Sequence, residues 1–228
     1  MKYKSAILTA ASGSVGGLTF SHNSGGLYTR ARSIPVNTNT SQQQVVRNAM
    51  SICVAAYTDP EGDVSTGQWE NYANEQLLPD AFGDPRQISG LAQFVRSMVP
   101  RIQAGLAIVN AGPMEYILPT MTLPTVTIAS APAAINVTFT NADAWANEAG
   151  GALLVYCSRP QMPSVNFFAG PYRYCGKIPG ATPTPPTSPA AVTPAFAPVA
   201  DMVTHVAMRI TRADGRLSSM LRFRYTAN

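Results

Sequence analysis

Charged residues are scarce in this chain of 228 amino acids, because they make up only 12% of it against about a quarter in an average soluble domain. An enzyme free in solution normally carries a densely charged surface, so we expect this chain to cover much of its surface with other protein. Apolar residues reach 46%, which is enough for a buried core in one or two domains. The composition argues against disorder and against freestanding catalysis.

Long apolar runs are also missing. No stretch approaches the roughly 18 apolar residues of a membrane-spanning helix, so we expect no membrane insertion. The apolar run Ala6–Ala11 stops at Ser12-Gly13-Ser14 and is shorter than the about 7–15 residues of a secretory signal. The sequence therefore predicts synthesis and retention in a cytoplasm until the protein leaves within an assembly.

Cysteine is rare, and the three cysteines are too few for a disulfide framework. Cys157 and Cys175 could face each other on neighbouring strands. The alternative is that both are buried thiols in a reducing compartment.

Catalytic and metal-binding motifs are not found either. The only histidines, His22 and His205, lie in different regions, and His205 falls in an alternating run typical of a strand. No zinc-protease, paired-cysteine, nucleophile-elbow or phosphate-loop motif occurs. We therefore expect no enzyme activity, no catalytic residue, no cofactor and no metal.

One acidic cluster between two predicted helices has partial calcium-loop spacing. Asp59, Glu61, Asp63 and Glu70 match positions 1, 3, 5 and 12 of such a loop. Val64 occupies the position where the loop requires glycine for its sharp turn. We interpret the cluster as an acidic turn that also caps the second helix.

The fold class predicted from the patterns is α+β, in three stretches. Residues 1–37 predict an extended β-hairpin arm, with strands at Thr19–His22 and Leu27–Ile34 around a turn at Asn23–Gly26. Two strands are not stable alone in water, so the arm must lie on the rest of the subunit or on a neighbour.

Residues 38–112 predict a helical domain. Helices are expected over Gln42–Tyr57, with Val45, Ala49, Ile52, Cys53 and Ala56 on its apolar face, and over Thr66–Leu78, burying Trp69, Tyr72 and Ala73. Ser89 is expected to cap a third helix, which Pro100 kinks or restarts and Gly105 ends.

Residues 113–228 predict an antiparallel β-sandwich of immunoglobulin or fibronectin-III type, because short strand-like runs alternate with turn signals. The expected strands are Thr125–Ala129, Ile135–Thr140, Ala152–Cys157, Phe167–Tyr174, Val203–Arg212 and Leu217–Tyr225. The proline-rich stretch 179–198 is expected to be an extended loop of this sandwich.

Arginine provides 13 of the 16 basic residues, and the formal net charge is +4. Tyr28, Arg30 and Arg32 would share one strand face, and Arg222 and Arg224 lie on another strand. Edge protection, anchoring in a subunit interface and nucleic-acid binding could each explain these arginines. No basic run exists, so nucleic acid is not the expected partner, and we take the five residues as candidate interface residues.

A spaced pattern of residues runs through the first half of the chain. Its members are Gly13, Gly16, Gly17, Gly25, Gly26, Tyr28, Arg30, Arg32, Pro35, Asn37, Thr40, Gln43, Gln44, Arg47, Trp69, Tyr72, Ala73, Ser89, Gly90, Phe94, Val95, Pro100, Arg101 and Gly105. This pattern resembles that of a family of virion structural proteins from tailed phages and prophages, which is roughly G-G-x-Y-x-R-x-R-x-x-P-x-N-P-x-T-x-x-Q-x-x-x-R. Thr38 replaces the second proline of the family pattern.

The resemblance implies a phage virion component and transfers no activity. We therefore expect a capsid decoration or cement subunit, or a tail or connector accessory, located in the virion after assembly in the host cytoplasm. Its partners would be other virion proteins and further copies of itself as a homo-oligomer. The alternative is a binding module in which the sandwich recognises a host-surface glycan through loops such as Gly176–Pro198.

Overall fold

The computed structural model describes residues 12–23, 26–34, 36, 38–79 and 85–228. The first eleven residues of the predicted arm, the turn residues Ser24 and Gly25, and the motif residues Pro35 and Asn37 lie outside them. Within the described ranges the fold is α+β, as predicted, and it is mostly β, with three helices, three antiparallel sheets and one short ribbon. The chain divides into two compact units, Met1–Ser41 and Gln42–Asn228. The three-part division made from the sequence stays a prediction.

The first unit contains a three-stranded antiparallel sheet in the order β1-β2-β3. Its strands are β1 (Gly13–Val15), β2 (Leu18–Asn23) and β3 (Gly26–Ala31). The predicted hairpin corresponds to β2 and β3, with Thr19 opposite Arg30. Strand β1 lies in the glycine-rich stretch that precedes the predicted hairpin. Val15 and Leu18 are exposed.

Three helices open the second unit: α1 (Ser41–Thr58), α2 (Thr66–Glu75) and α3 (Gly90–Gln103). The ribbon of β4 (Leu78–Pro79) and β5 (Pro85–Arg86) separates α2 from α3. The helices enclose a small core that includes Cys53, Trp69, Tyr72, Phe94 and Met98. Trp69 contacts the rings of Tyr72 and Phe94 edge-on, which is a favourable geometry for aromatic pairs.

The helix ends agree with the sequence in part. Ser89 caps α3 as predicted, because its Oγ accepts a hydrogen bond from the backbone N–H of Ala92 at 3.3 Å. The helix continues through Pro100 to Gln103, and Gly105 follows with a φ of 65°. Helix α2 ends three residues earlier than predicted, since the backbone is already extended at Gln76.

The apolar face predicted for α1 is only partly correct. Ala49 and Cys53 are buried, but Val45 and Ile52 are exposed. The buried face of α1 is therefore narrower than the apolar face that its sequence predicts.

Seven strands form two further antiparallel sheets. One has the order β10-β7-β6 and contains β6 (Thr125–Ala129), β7 (Ala134–Thr138) and β10 (Ala190–Val192). The other has the order β12-β11-β8-β9 and contains β8 (Ala152–Cys157), β9 (Arg173–Pro179), β11 (Val203–Thr211) and β12 (Leu221–Thr226).

The two sheets share one core. Ile135 and Val137 from the three-stranded sheet belong to the same buried cluster as Leu153, Val155 and Met208 from the four-stranded sheet. The alternate residues of β8 point the other way, and Leu154 and Tyr156 pack with Ala104 and Leu217. All six residues of β8 are therefore buried, which explains why its sequence is an uninterrupted apolar run.

Two strand predictions and the prediction for the proline-rich loop were wrong in detail. The expected strand Phe167–Tyr174 begins only at Arg173, because Pro171 lacks the N–H that a strand ladder needs. The expected strand from Leu217 begins at Leu221, and Leu217 forms only an isolated bridge with Thr211. The proline-rich loop contains β10, whose central residue Ala191 lies opposite Asn136.

The last residues of the chain connect the two sheets. The backbone N–H of Asn228 donates to the Ile128 carbonyl at 3.1 Å, and its carbonyl accepts from the Ser130 N–H at 2.9 Å. Ala227, which follows β12, is buried in the shared core. The end of the chain thereby pairs with the edge of β6 that β7 leaves free.

Cys157 and Cys175 are free thiols that face each other within the four-stranded sheet. The Cys157 thiol interacts with the Cys175 thiol, and backbone N–H groups of Phe196 and Ala195 donate to Cys157 as well. The Cys175 S–H also faces the Arg173 carbonyl, with 3.6 Å between Sγ and O. Because these contacts favour the thiolate over the opposing effect of burial, the pKa of Cys157 is lowered to about 7. Cys175 keeps the shared proton, and its pKa is raised.

Candidate interaction surface

A buried arginine fixes the helices to the four-stranded sheet. The Arg101 guanidinium donates to the backbone carbonyls of Arg212 and Gly150 and to the Thr211 hydroxyl, at 2.6, 3.2 and 2.9 Å. Burial lowers the pKa of Arg101, and the nearby Asp214 and Glu148 carboxylates act in the opposite direction. The helical segment therefore cannot shift along the sheet without leaving a buried charge unpaired.

The acidic turn between α1 and α2 is held by a hydrogen bond within the turn. The Asp59 carboxylate accepts from the backbone N–H of Glu61 at 3.0 Å. The predicted capping of α2 by this turn is wrong, because α2 has Ser65 at its N-cap and no side-chain cap. Glu70 instead accepts from the backbone N–H of Gly90 at the start of α3, at 3.1 Å. No group of three possible metal ligands occurs within the described ranges.

The arm residues predicted as interface anchors lie on and beside β3. Tyr28 is half-buried, whereas Arg30 and Arg32 are exposed. The backbone N–H of Arg32 donates to the Gly17 carbonyl, which closes the sheet at that end. These residues belong to the first unit, while Arg222 and Arg224 belong to the second.

Arg224 fastens the connection between β8 and β9 across the outer face of the four-stranded sheet. Its guanidinium donates to the backbone carbonyls of Pro163 and Val165, at 2.6 and 3.3 Å. Arg222, two residues earlier on β12, lies over the ring of Tyr172 at 5.8 Å. These two predicted anchors thus hold residues 158–172 of their own chain, and their role between subunits stays a prediction.

His205 supports the same connection from β11. Its ring stacks on Phe168 with centroids 5.4 Å apart, and it lies opposite Arg224 in the sheet register. Burial and the positive charge of Arg224 lower the pKa of His205. The neutral imidazole is therefore the favoured form, which suits an aromatic stack.

Arginine and aromatic side chains lie together at the surface where β12 holds the connection between β8 and β9. A cavity of about 190 Å³ lies where Asn166, Phe167 and Phe168 meet Arg222 and Arg224. Phe168 also borders a second cavity, which Arg159, Arg173 and Phe196 line. The sequence did not indicate Arg159, Arg173 and Phe196 as site residues, because they are far apart in sequence and come together only in the folded chain.

Comparisons of the chain with known protein families, with curated protein sequences and with solved structures find no match. Along the described part of the chain, no helix has the length and apolar character needed to cross a membrane.

Proposed function

We propose that this protein is a structural subunit of a tailed-phage virion, acting through protein–protein contacts as a capsid decoration or cement subunit or as a tail or connector accessory. The resemblance of its first half to virion proteins supports the virion location. The low charge and the exposed apolar residues support the assembly role.

The observation that carries the proposal is an exposed apolar stripe on α1. Val46, Met50 and Val54 are spaced by four residues, so they lie on one side of the helix, and all three are exposed. Met50 alone retains 47% of its accessible surface. A contiguous apolar stripe is costly in water, and in a subunit of an assembly a neighbouring copy would cover it.

We further propose that β6 to β12 form an immunoglobulin-type sandwich. Lettered in chain order, with β9 as an inserted strand after C, the sheets read A-B-E and G-F-C. These are the neighbour relations of immunoglobulin-type sheets without strand D. The core that the two sheets share supports the same assignment.

The virion location is tested by mass spectrometry of purified phage particles, with the copy number of this chain counted per particle. Hundreds of copies would indicate the capsid or the tail tube, and about a dozen would indicate a connector or tip. A particle that lacks the chain would contradict the proposal.

The assembly surface is tested by replacing Val46, Met50 and Val54 with Gln. We expect the variant to keep its melting temperature but to lose self-association in light scattering and incorporation into particles. Replacing the exposed polar residues Asn48 and Ser51 with Gln on the same helix is the matched control, and it should change neither property. Unaltered assembly of the apolar-stripe variant would contradict the role of this surface.

A further inference from the structure

A cavity of about 240 Å³ opens beside the ends of β8 and β9. It is lined by Arg159, Gln161, Phe168, Pro171, Arg173 and Phe196. The site therefore combines two positive charges, one side-chain amide and apolar walls. Such a combination of a mostly apolar cavity with a few converging polar groups is typical of a binding site.

Both guanidinium groups are held by the same aromatic ring. Arg159 and Arg173 lie over Phe196 at 5.3 and 5.1 Å from its centroid. A cation–π contact leaves the N–H groups of a guanidinium able to donate hydrogen bonds to an oxygen acceptor. Phe196 therefore holds two sets of hydrogen-bond donors beside the cavity.

Neither arginine is neutralised within the described part of the chain. The ion pairs found there join Arg212 to Glu148 and Arg216 to Glu115 and Asp214, and none involves Arg159 or Arg173. The sequence from 158 to 175 contains these two arginines and no Asp or Glu. A carboxylate is the group that fits, because the planar guanidinium can bind both of its oxygens.

The surroundings of the cavity point to a protein as the carrier of that carboxylate. Met162 and Phe167, in the same connection, are 68% and 79% exposed. Arginine, methionine and aromatic residues are the types enriched in protein interfaces, and arginine is among the residues that contribute most to the binding energy. The side-chain amide of Gln161 also donates to the Arg159 carbonyl at 3.1 Å, which stabilises the backbone at the edge of the cavity.

We propose that this cavity binds an acidic segment of a partner protein. A carboxylate of the segment receives hydrogen bonds from Arg159 and Arg173, and an adjacent apolar side chain of the segment packs on Phe167 or Met162. The inference rests on the proposed function only in taking a protein as the partner, and it concerns a surface distinct from the α1 stripe.

The test is a titration of the full-length, isotope-labelled protein followed by nuclear magnetic resonance. The probe is the capped tetrapeptide Leu-Glu-Asp-Leu, and the matched control peptide is Leu-Gln-Asn-Leu. We expect the acidic peptide to shift the signals of Arg159, Arg173 and Phe196, with affinity falling as salt is raised. The neutral peptide should bind at least tenfold more weakly.

Two protein variants assign the effect to the cavity. Arg159→Gln and Arg173→Gln change exposed side chains, so both should fold normally, and each should weaken peptide binding at least tenfold. Arg86→Gln, another exposed arginine, should leave binding unchanged.

Three outcomes would overturn the proposal. Equal binding of the two peptides would remove the role of the carboxylates. Binding of glucuronate without binding of the peptide would make the cavity a site for acidic saccharides. Shifts produced by inorganic phosphate alone would indicate an adventitious ion only. None of these results bears on self-association through α1, so the two proposals fail independently.

Discussion

The guanidinium of Arg101 in α3 donates to the backbone carbonyl of Arg212, just beyond the end of β11, at a distance of 2.6 Å. The two residues are far apart in sequence, and their contact joins the helical segment to the four-stranded sheet. Arg212 is itself held by Glu148 through a two-point ion pair at 2.6 and 3.0 Å. The buried Arg101 thus depends on a partner, Arg212, that Glu148 already positions.

Replacing Arg101 with Ala should lower the free energy of unfolding by about 3 kcal/mol, because several buried acceptors lose a charged donor. Arg101→Lys should recover only part of the loss, since lysine lacks the planar fork. Urea denaturation measures both changes. Arg86→Ala is the control and should stay within about 0.5 kcal/mol of the wild type. An equally small effect at Arg101 would show that the contact is not needed for stability.

Gly215 lies so close to the helical core that an added side chain would have to displace its neighbours. A Cβ atom would lie 2.9 Å from Met98 Cε and 3.1 Å from the Trp69 ring, and the residue has a φ of 90°. Gly215→Ala should therefore cost about 2–4 kcal/mol through backbone strain and overpacking together. Gly150→Ala has a similar φ of 89° but no contact shorter than 3.6 Å, so it should show the strain alone. If urea denaturation shows that the two variants lower the free energy of unfolding equally, overpacking at Gly215 does not contribute.

His205 should make the folded protein less stable in mild acid. Its pKa is lowered in the folded state, so the unfolded chain binds the proton first as the pH falls below about 6.5. Stability should then decrease towards lower pH, by at most about 1.4 kcal/mol per pH unit for one proton. His205→Phe keeps the stack on Phe168 and should flatten this dependence, measured as urea midpoints from pH 7.5 to pH 5.5. If His22→Gln flattens the pH dependence of the urea midpoint in the same way, the effect belongs to His22 instead.

Removing the Cys175 thiol should raise the pKa of Cys157, because the thiolate loses the hydrogen bond that contributes most to stabilising it. The ultraviolet absorbance of the thiolate, followed against pH in Cys175→Ala, measures this shift. Cys53 is a suitable internal reference, since burial raises its own pKa to about 11. An unchanged titration of Cys157 would mean that the backbone N–H groups alone set its acidity.

The sequence predicted the elements whose pattern is local. Strands β6 and β8 were predicted with the bounds they have, because each is a short β-branched or apolar run between turn signals. Strand β10 was missed because prolines on both sides hid its three pairing residues. The site at Arg159 and Arg173 could not be predicted. One arginine precedes and the other follows the connection between β8 and β9, and both reach Phe196 only in the folded chain.

The pairing of Asn228 with β6 has a consequence for aggregation. An unpaired edge strand can recruit the edge of another chain, and proteins cover such edges to avoid it. Here the backbone of Asn228 occupies the hydrogen-bonding positions at Ile128 and Ser130. Deleting Asn228 while keeping the buried Ala227 should therefore expose this edge and promote amyloid-like association of otherwise folded molecules, detectable as thioflavin binding.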